Sequence, residues 1–264
     1  MKVATIQFAP KFLDLEWNVD RMKELVLEAA TEGADLIVMP ELCTSGYSMM
    51  SVDEARPMAE CVYNLAGDDK PSGSLPTMWN LVKELNVTLV YGFIEEDHQT
   101  GQLYNAQVIM DPGLYHLDNG EVVEPPSFQT YRKINRWGQD WLWAQSGTQN
   151  PPVQYSARLG KRIGLLICRD IRDKKDSEWT NFYSPGDCDI VCFSSNFGRG
   201  AFPATSWMDF TIESKVHLVV SNRYGKEENN DFGHGGVCVV SPDGTVQCEG
   251  LRWNKDCIVY VDIA

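Results

Sequence analysis

The chain has 264 residues, 43% of them hydrophobic, and a formal net charge of −14 at pH 7. The length suits one large α/β domain, and so acidic a surface repels nucleic-acid backbones and anionic lipid, which argues against both as partners. No apolar run reaches the roughly 18 residues of a membrane span and no signal-peptide pattern opens the chain, so a cytoplasmic protein is expected.

The cysteines and histidines favour neither a disulfide framework nor a metal site. There are eight cysteines and four histidines in the chain. No C-x-x-C motif occurs, and alternation along a strand would place Cys188 and Cys192 on the same face of a sheet. The histidines are never spaced three or four residues apart. We therefore expect no metal ion.

Strands and helices alternate in the first half of the chain. The apolar stripe of NVDRMKELVLEAATEGA predicts a helix, with Asn18 as its N-cap and Gly33 as its stop. The following ADLIVMP predicts a buried strand that Pro40 terminates. The other predicted elements before residue 111 are the strand KVATIQF, the helix LPTMWNLVKELNV and the strands TLVYGFIE and LYNAQVIMD.

The second half is richer in strands. Residues 111–130 contain many turn formers and predict a hairpin at Asn119-Gly120. The remaining predicted elements are the strand RIGLLIC, the helix DKKDSEWTNFYSPG, the strand CDIVCFSSN, the helix SWMDFTIESKV, and the strands HLVVSNRY, GGVCVVSPDG and CIVYVDIA. Because no linker interrupts this order, we expect a single domain over residues 1–264, of the α/β class with mixed strand pairing.

Three ionisable residues stand at or near predicted strand ends. Glu41 follows ADLIVMP, Lys133 lies in the aromatic segment YRKINRW, and Cys168 ends the strand RIGLLIC. Sites in α/β sheets form at the carboxyl ends of strands, so these side chains can converge. There Glu41 would act as a general base towards a Cys168 nucleophile. Lys133 would lower the pKa of the thiol and hold an oxyanion.

Each of these residues also has an ordinary interpretation. A cysteine at the end of an apolar strand is most often part of the core, and glutamates and lysines are most often solvated surface groups. Spacing alone does not bring positions 41, 133 and 168 together. The residues by themselves therefore allow a cysteine hydrolase without requiring one.

The segments around these three residues resemble the catalytic motifs of the nitrilase superfamily, the carbon–nitrogen hydrolases. The three motifs are DLIVMPELCTSGY, YRKINRW and KRIGLLICRD, and the resemblance extends over nearly the whole chain. It implies an α-β-β-α sandwich with two mixed sheets, at least a homodimer, and no metal or organic cofactor. It also implies that a small-molecule amide or N-carbamoyl compound is cleaved through a thioester.

The resemblance assigns roles to residues of this chain. Cys168 would be the nucleophile, Glu41 the general base, Lys133 the oxyanion stabiliser, and the Arg169 amide the second oxyanion donor. Asp140 aligns with the family's second glutamate, but its side chain is one methylene shorter. The Arg169 side chain would pair either with an acidic substrate or with Asp170 or Asp173. The positions that resemble pocket walls are Tyr47, Trp137, Asn196 and Phe197.

Other functions remain open at this stage. A true nitrilase would use the same catalytic residues, so the sequence does not separate nitrile from amide hydrolysis. A binding protein that kept the fold would be expected to lack at least one catalytic residue, and all three are present. A papain-like hydrolase would need a histidine motif that the sequence does not contain.

Overall fold

The structure is a computed structural model that describes residues 1–62, 73–118, 121–123, 128–172, 181–198, 202–250 and 255–264. Most of its strands form two mixed sheets. The first sheet contains, in spatial order, β16 (Cys257–Asp262), β1 (Lys2–Gln7), β2 (Leu36–Val38), β3 (Thr88–Glu96), β4 (Leu103–Met110) and β7 (Phe128–Arg132).

The second sheet is larger, and a short hairpin lies outside both sheets. The second sheet contains, in spatial order, β15 (Val246–Gly250), β14 (Val237–Val240), β11 (His217–Asn222), β10 (Ile190–Ser195), β9 (Lys161–Ile167), β8 (Val153–Ser156), β5 (Leu114–Asp118) and β6 (Glu121–Val123). The hairpin pairs β12 (Lys226–Glu227) with β13 (Asn230–Asp231). Parallel triplets, β1-β2-β3 and β9-β10-β11, form the centre of each sheet, with antiparallel strands beside them.

The α-helices of the described residues are α1 (Leu15–Thr31), α2 (Val52–Ala55), α3 (Leu75–Leu85), α4 (Asp140–Trp143) and α5 (Thr205–Ser214). The three longest, α1, α3 and α5, pack on the outer faces of the two sheets. Apolar side chains of α1 and α3, including Met22 and Val82, cover the first sheet, and Trp207 and Phe210 of α5 cover the second. The predicted α-β-β-α sandwich with two mixed sheets is therefore confirmed.

Strand alternation builds the core between the two sheets. On β10, Ile190 and Cys192 face the first sheet, whereas Val191 and Phe193 face the α5 side. Because both faces of such a strand are buried, it is apolar throughout, and this explains the continuous hydrophobic runs in the sequence. The prediction that Cys188 shares a face with Cys192 is wrong, because Cys188 precedes the strand and packs with the α5 side.

Two local predictions also need correction. Helix α1 begins three residues before Asn18, and its N-cap is Asp14, whose carboxylate accepts a hydrogen bond from the Trp17 amide. Asn18 is instead buried, and its side-chain amide donates to the carbonyls of Lys11 and Thr44. The tip of the hairpin at 119–120 and most of the helix predicted within residues 173–186 lie outside the described residues, and residues 181–184 are not helical.

The helices are short or polar compared with a membrane-spanning segment. Within the described residues, none combines the length and the apolar character that a bilayer crossing requires.

Candidate active site

The sandwich brings the ends of strands from both sheets together. Glu41 follows β2, Lys133 follows β7 of the same sheet, and Cys168 follows β9 of the other sheet. Cys168 opens a 3₁₀ turn and has φ of 41°, a left-handed conformation that is uncommon for a residue other than glycine. Such backbone strain is found preferentially at functional sites.

Lys133 lies between two carboxylates. Its Nζ donates hydrogen bonds of 2.7 Å to Glu41 Oε1 and of 2.7 Å to Asp140 Oδ2. All three side chains are buried. An ammonium group has three N–H donors, so one remains for a substrate oxygen after these two bonds. The aspartate, although shorter than a glutamate, reaches the lysine.

Asn105 ties the two carboxylates together from the neighbouring strand β4. Its Nδ2 donates to Glu41 Oε1 at 2.7 Å and to Asp140 Oδ1 at 3.0 Å. Sequence reasoning missed this residue. The available signal was a polar side chain inside the otherwise apolar run LYNAQVIM, because a buried polar group needs a partner.

Burial controls the charges of this cluster. It raises the pKa of Glu41, against the opposing effect of Lys133. For Lys133, burial favours the neutral amine, but the carboxylates of Asp140 and Glu41 outweigh it and raise the pKa well above its usual value. Lys133 is therefore held as an ammonium beside carboxylates that stabilise its charge.

The thiol of Cys168 borders the same cluster. Burial, followed by the charge of Glu41, raises its pKa to about 12, although Lys133 and the Asn196 amide act in the opposite direction. The sequence-based expectation that Lys133 leaves the thiol with a lowered pKa is therefore not met. Because a resting thiolate is disfavoured, a nucleophilic attack by this thiol would need a base to take its proton, and Glu41 is a neighbouring carboxylate.

Tyr47 and Trp137 contact each other close to Asp140, and their role as walls of a substrate pocket stays a prediction. The Tyr47 hydroxyl donates to the Trp137 carbonyl at 2.5 Å, and the Trp137 amide donates to Asp140 Oδ2 at 3.0 Å. The Trp137 side chain is 56% exposed, whereas Tyr47 is buried with its ring edge-on to Phe232. Arg169 places its guanidinium 4.7 Å from the centre of the Trp137 ring.

Asn196 and Phe197 follow strand β10. The Asn196 amide donates to Glu41 Oε2 at 2.8 Å, so this backbone group helps to hold the Glu41 carboxylate in place. Both polar atoms of the Asn196 side chain are buried without a hydrogen-bond partner in the described part of the chain. The Phe197 ring packs on Trp207, with 5.1 Å between ring centres, and its place in a substrate pocket stays a prediction.

A second buried ion pair supports the loop that contains Tyr47. Arg223 Nη1 donates to Glu227 Oε2 at 2.7 Å. The other oxygen, Glu227 Oε1, accepts hydrogen bonds from the amides of Tyr47 and Ser48 at 2.7 and 2.8 Å. Sequence reasoning missed both partners, because 223 and 227 are far from 47 along the chain and no local pattern links them.

Potential metal ligands are dispersed over the described part of the chain. No three histidine, cysteine, aspartate or glutamate side chains in the described ranges converge in a way that could hold an ion. The expectation that no metal is bound stays a prediction.

Comparison with known proteins gives matches along the full length of the chain. The family model described as carbon-nitrogen hydrolase matches residues 2–264. A probable nitrilase of Schizosaccharomyces pombe is 27% identical over 253 residues, covering 92% of this chain and 82% of that protein. An (R)-stereoselective amidase of a Pseudomonas species is 28% identical over 264 residues, covering 100% and 85%.

Solved structures are similar in fold. An amidase from a Nesterenkonia species superposes with a TM-score of 0.74 at 21% identity, covering 100% of this chain and 90% of that one. A mutant of the amidase from Nesterenkonia sp. AN1 shows the result of Michael addition of acrylamide at its active-site cysteine. That structure has a TM-score of 0.74 at 20% identity and covers 100% and 93% of the two chains.

Proposed function

Because this chain belongs to the carbon–nitrogen hydrolase family of the nitrilase superfamily, we propose that it hydrolyses a linear amide or an N-carbamoyl compound. The observation that supports this most directly is the contact of Lys133 Nζ with both Glu41 and Asp140, beside the strained Cys168. An ammonium held in this way suits a developing oxyanion, and a cysteine beside a base suits attack on a carbonyl carbon.

In the first half of the proposed reaction, Cys168 is acylated. Its sulfur forms a bond to the amide carbon while its proton passes to Glu41. The carbonyl electrons move to the oxygen, where the remaining N–H of Lys133 and the Arg169 amide stabilise the negative charge. The tetrahedral intermediate collapses, the carbon–nitrogen bond breaks, and ammonia or an amine leaves with the proton from Glu41. A thioester on Cys168 results.

In the second half, water removes the acyl group. Glu41, again ionised, takes a proton from a water molecule that attacks the thioester carbon. The carbon–sulfur bond then breaks, and the thiol regains its proton from Glu41. The fixed hydrogen bonds from Asn105 and the Asn196 amide keep Glu41 in one place through both steps. The unpartnered Asn196 side chain is well suited to bind the substrate amide.

Amide hydrolysis is favoured over the two rival functions. A nitrilase would use the same residues, and one relative described above is a probable nitrilase, but the two solved structures described above are amidases and another relative is a stereoselective amidase. A binding protein that kept only the fold would have no need for a buried Glu–Lys–Asp cluster, since burying three charges is costly unless they serve a purpose.

The proposal can be tested by measuring chemistry at Cys168. Wild type, Cys168→Ala and Glu41→Gln are assayed for ammonia release from amides, N-carbamoyl compounds and nitriles, with intact-protein mass spectrometry to detect the acyl-enzyme. Ammonia release from amides that both substitutions abolish, with an acyl adduct only in proteins that retain Cys168, is expected. Turnover of nitriles alone would favour the nitrilase, and no turnover with no adduct would favour the binding protein.

We also propose that the chain forms at least a homodimer, as the family resemblance implies. Light scattering coupled to gel filtration would give about twice the mass of one chain, which is 29.8 kDa. A mass equal to that of one chain would contradict the proposal.

A further inference from the structure

Strand β10 ends in two adjacent serines whose side chains lie on opposite faces of the sheet. Ser194 faces the first sheet, where its Oγ donates to the Met39 carbonyl at 2.7 Å and accepts from Gln107 Nε2 at 2.7 Å. Ser195, the next residue, lies on the other face because side chains alternate along a strand. Its side chain is fully buried, and its Oγ forms no hydrogen bond of normal geometry within the described part of the chain.

The buried hydroxyl of Ser195 is an exception in its sheet. Burying a hydroxyl that forms no hydrogen bond costs free energy, so buried polar groups are nearly always paired. The neighbouring serines follow this rule. Ser221 of strand β11, which pairs with Ser194, is also buried, and its Oγ donates to the Ile6 carbonyl at 2.6 Å. The exception at Ser195 indicates a hydroxyl that acquires its acceptor during the reaction.

The register of strands β9 and β10 identifies that acceptor. The two strands are parallel, and Ile167 pairs with Ser194. The residues that follow are Cys168 and Ser195, which therefore stand next to each other at the carboxyl ends of the two strands. Cys168 begins the 3₁₀ turn at this point, and the turn contacts β10. The Ser195 hydroxyl and the Cys168 thiol are thus neighbours in space.

The electrostatics of the thiol agree with this placement. Burial and then the charge of Glu41 raise the pKa of Cys168. Lys133, the Ser195 hydroxyl and the Asn196 amide lower that pKa. A hydroxyl has this effect when it donates to the charged form, here the thiolate. Lys133 and the Asn196 amide also donate to Glu41, so among the three donors Ser195 is the one not shared with the carboxylate.

The strength of the contact depends on the charge of the sulfur. A neutral thiol is a weak acceptor, which explains why the hydroxyl forms no hydrogen bond of normal geometry in the resting protein. A thiolate accepts strongly. In the proposed function the sulfur becomes negative twice: when its proton passes to Glu41 during attack, and when the carbon–sulfur bond of the thioester breaks. A fixed donor beside an atom on which charge develops stabilises the transition state.

We propose that the Ser195 hydroxyl donates a hydrogen bond to the developing thiolate of Cys168 in both halves of the reaction. The hydroxyl keeps its own proton, so no covalent bond to Ser195 forms or breaks, and the proton still moves between the sulfur and Glu41. The inference rests on the proposed function for the reaction steps, but the effect on the thiol can be measured without substrate. Ser195 serves the sulfur as Lys133 serves the oxyanion.

Alkylation of Cys168 by iodoacetamide tests the contact in the absence of substrate. Ser195→Ala removes the donor, so the thiolate fraction at a given pH should fall about tenfold, the effect of one hydrogen bond to a charged group. A less stabilised thiolate is also more nucleophilic, which leaves a labelling rate about threefold below that of wild type. Ser195→Thr keeps a hydroxyl and should restore most of the rate. Ser221→Ala, which removes a buried hydroxyl one strand further from Cys168, is the control.

Steady-state kinetics test the reaction itself. With the best amide substrate, kcat of Ser195→Ala should fall about tenfold while KM changes little, because the hydroxyl contacts the sulfur rather than the substrate. An unchanged kcat would overturn the role in the reaction.

The alkylation rates separate this inference from the proposed function. Labelling of Ser195→Ala at the wild-type rate, or an equal reduction in Ser221→Ala, would overturn the inference whatever happens to kcat. Slower labelling in Ser195→Ala that Ser195→Thr restores, in a protein that hydrolyses no amide, would support the contact with the thiol and overturn the proposed function.

Discussion

The ammonium of Lys133 and the carboxylate of Asp140 form a buried ion pair at 2.7 Å, although the two residues belong to a segment with few regular elements. Asp140 is the first residue of the short helix α4, and the Trp137 amide donates to the same oxygen, Oδ2, that binds Lys133. This geometry gives the shorter aspartate a position from which it holds the lysine charged.

Asp140→Asn is expected to lower kcat by about 100-fold or more, because Lys133 loses the partner that stabilises its ammonium form and its direction. Kinetics with the best amide substrate measure this. Asp20→Asn, which removes an exposed carboxylate paired with Lys23 on helix α1, is the control and should retain wild-type activity. An Asp140→Asn enzyme with normal kcat would show that Glu41 alone suffices to hold the lysine.

The raised pKa values of Glu41 and Cys168 predict the pH dependence. Glu41 must be ionised to act as a base, so kcat/KM should fall on acidification at a higher pH than for an ordinary carboxylate. The Cys168 thiol has a pKa of about 12, so alkylation by iodoacetamide should rise by about tenfold per pH unit through the alkaline range. Mass spectrometry beside Cys168→Ala identifies the site. A labelling rate that levels off near pH 8 would contradict the raised thiol pKa.

The pair Arg223–Glu227 should contribute to stability as well as to the position of Tyr47. Glu227→Gln leaves Arg223 buried without its counterion, and breaking a buried pair in this way costs about 3–5 kcal/mol. Urea unfolding measures the loss. Glu96→Gln breaks the exposed pair with Arg56 and is the matched control, with an expected cost below about 1 kcal/mol. Similar costs for both variants would mean that the buried pair contributes no more than a surface one.

Glu60 is expected to make stability depend on pH. Burial raises its pKa from 4.5 to about 7, while Ser74 donates two hydrogen bonds to one of its oxygens. Because the folded pKa lies above the unfolded value, its stabilising contribution is complete below the unfolded pKa and is lost as pH rises through 7. The loss amounts to roughly 3 kcal/mol.

Glu60→Gln removes this titration. The free energy of unfolding of the variant relative to wild type should therefore shift in favour of the variant between about pH 5 and pH 8. Chemical denaturation at several pH values measures the difference. A difference that stays constant over this range would show that Glu60 does not titrate there.

Local patterns in the sequence were sufficient for much of the fold. Runs such as RIGLLIC and CDIVCFSSN are apolar on both faces, and such runs form the central strands of sheets covered on both sides. The apolar stripe of α1 was sufficient to predict the helix and its buried face. It did not predict the first residue of the helix, because Asp14 and Asn18 are both residue types that cap helices well. Only the tertiary contacts of Asn18 with Lys11 and Thr44 decide between them.

The candidate site also combines features that the sequence predicts with features that only the tertiary structure decides. The motifs around Glu41, Lys133 and Cys168 predicted the family, which is confirmed, because residue type and neighbouring residues are properties of the sequence. The partners Asn105 and Glu227, the charge of Lys133 and the raised pKa of Cys168 depend on which distant strands meet and on how completely they exclude water. Electrostatic energies follow from distance and burial, and only the folded sandwich sets those two quantities.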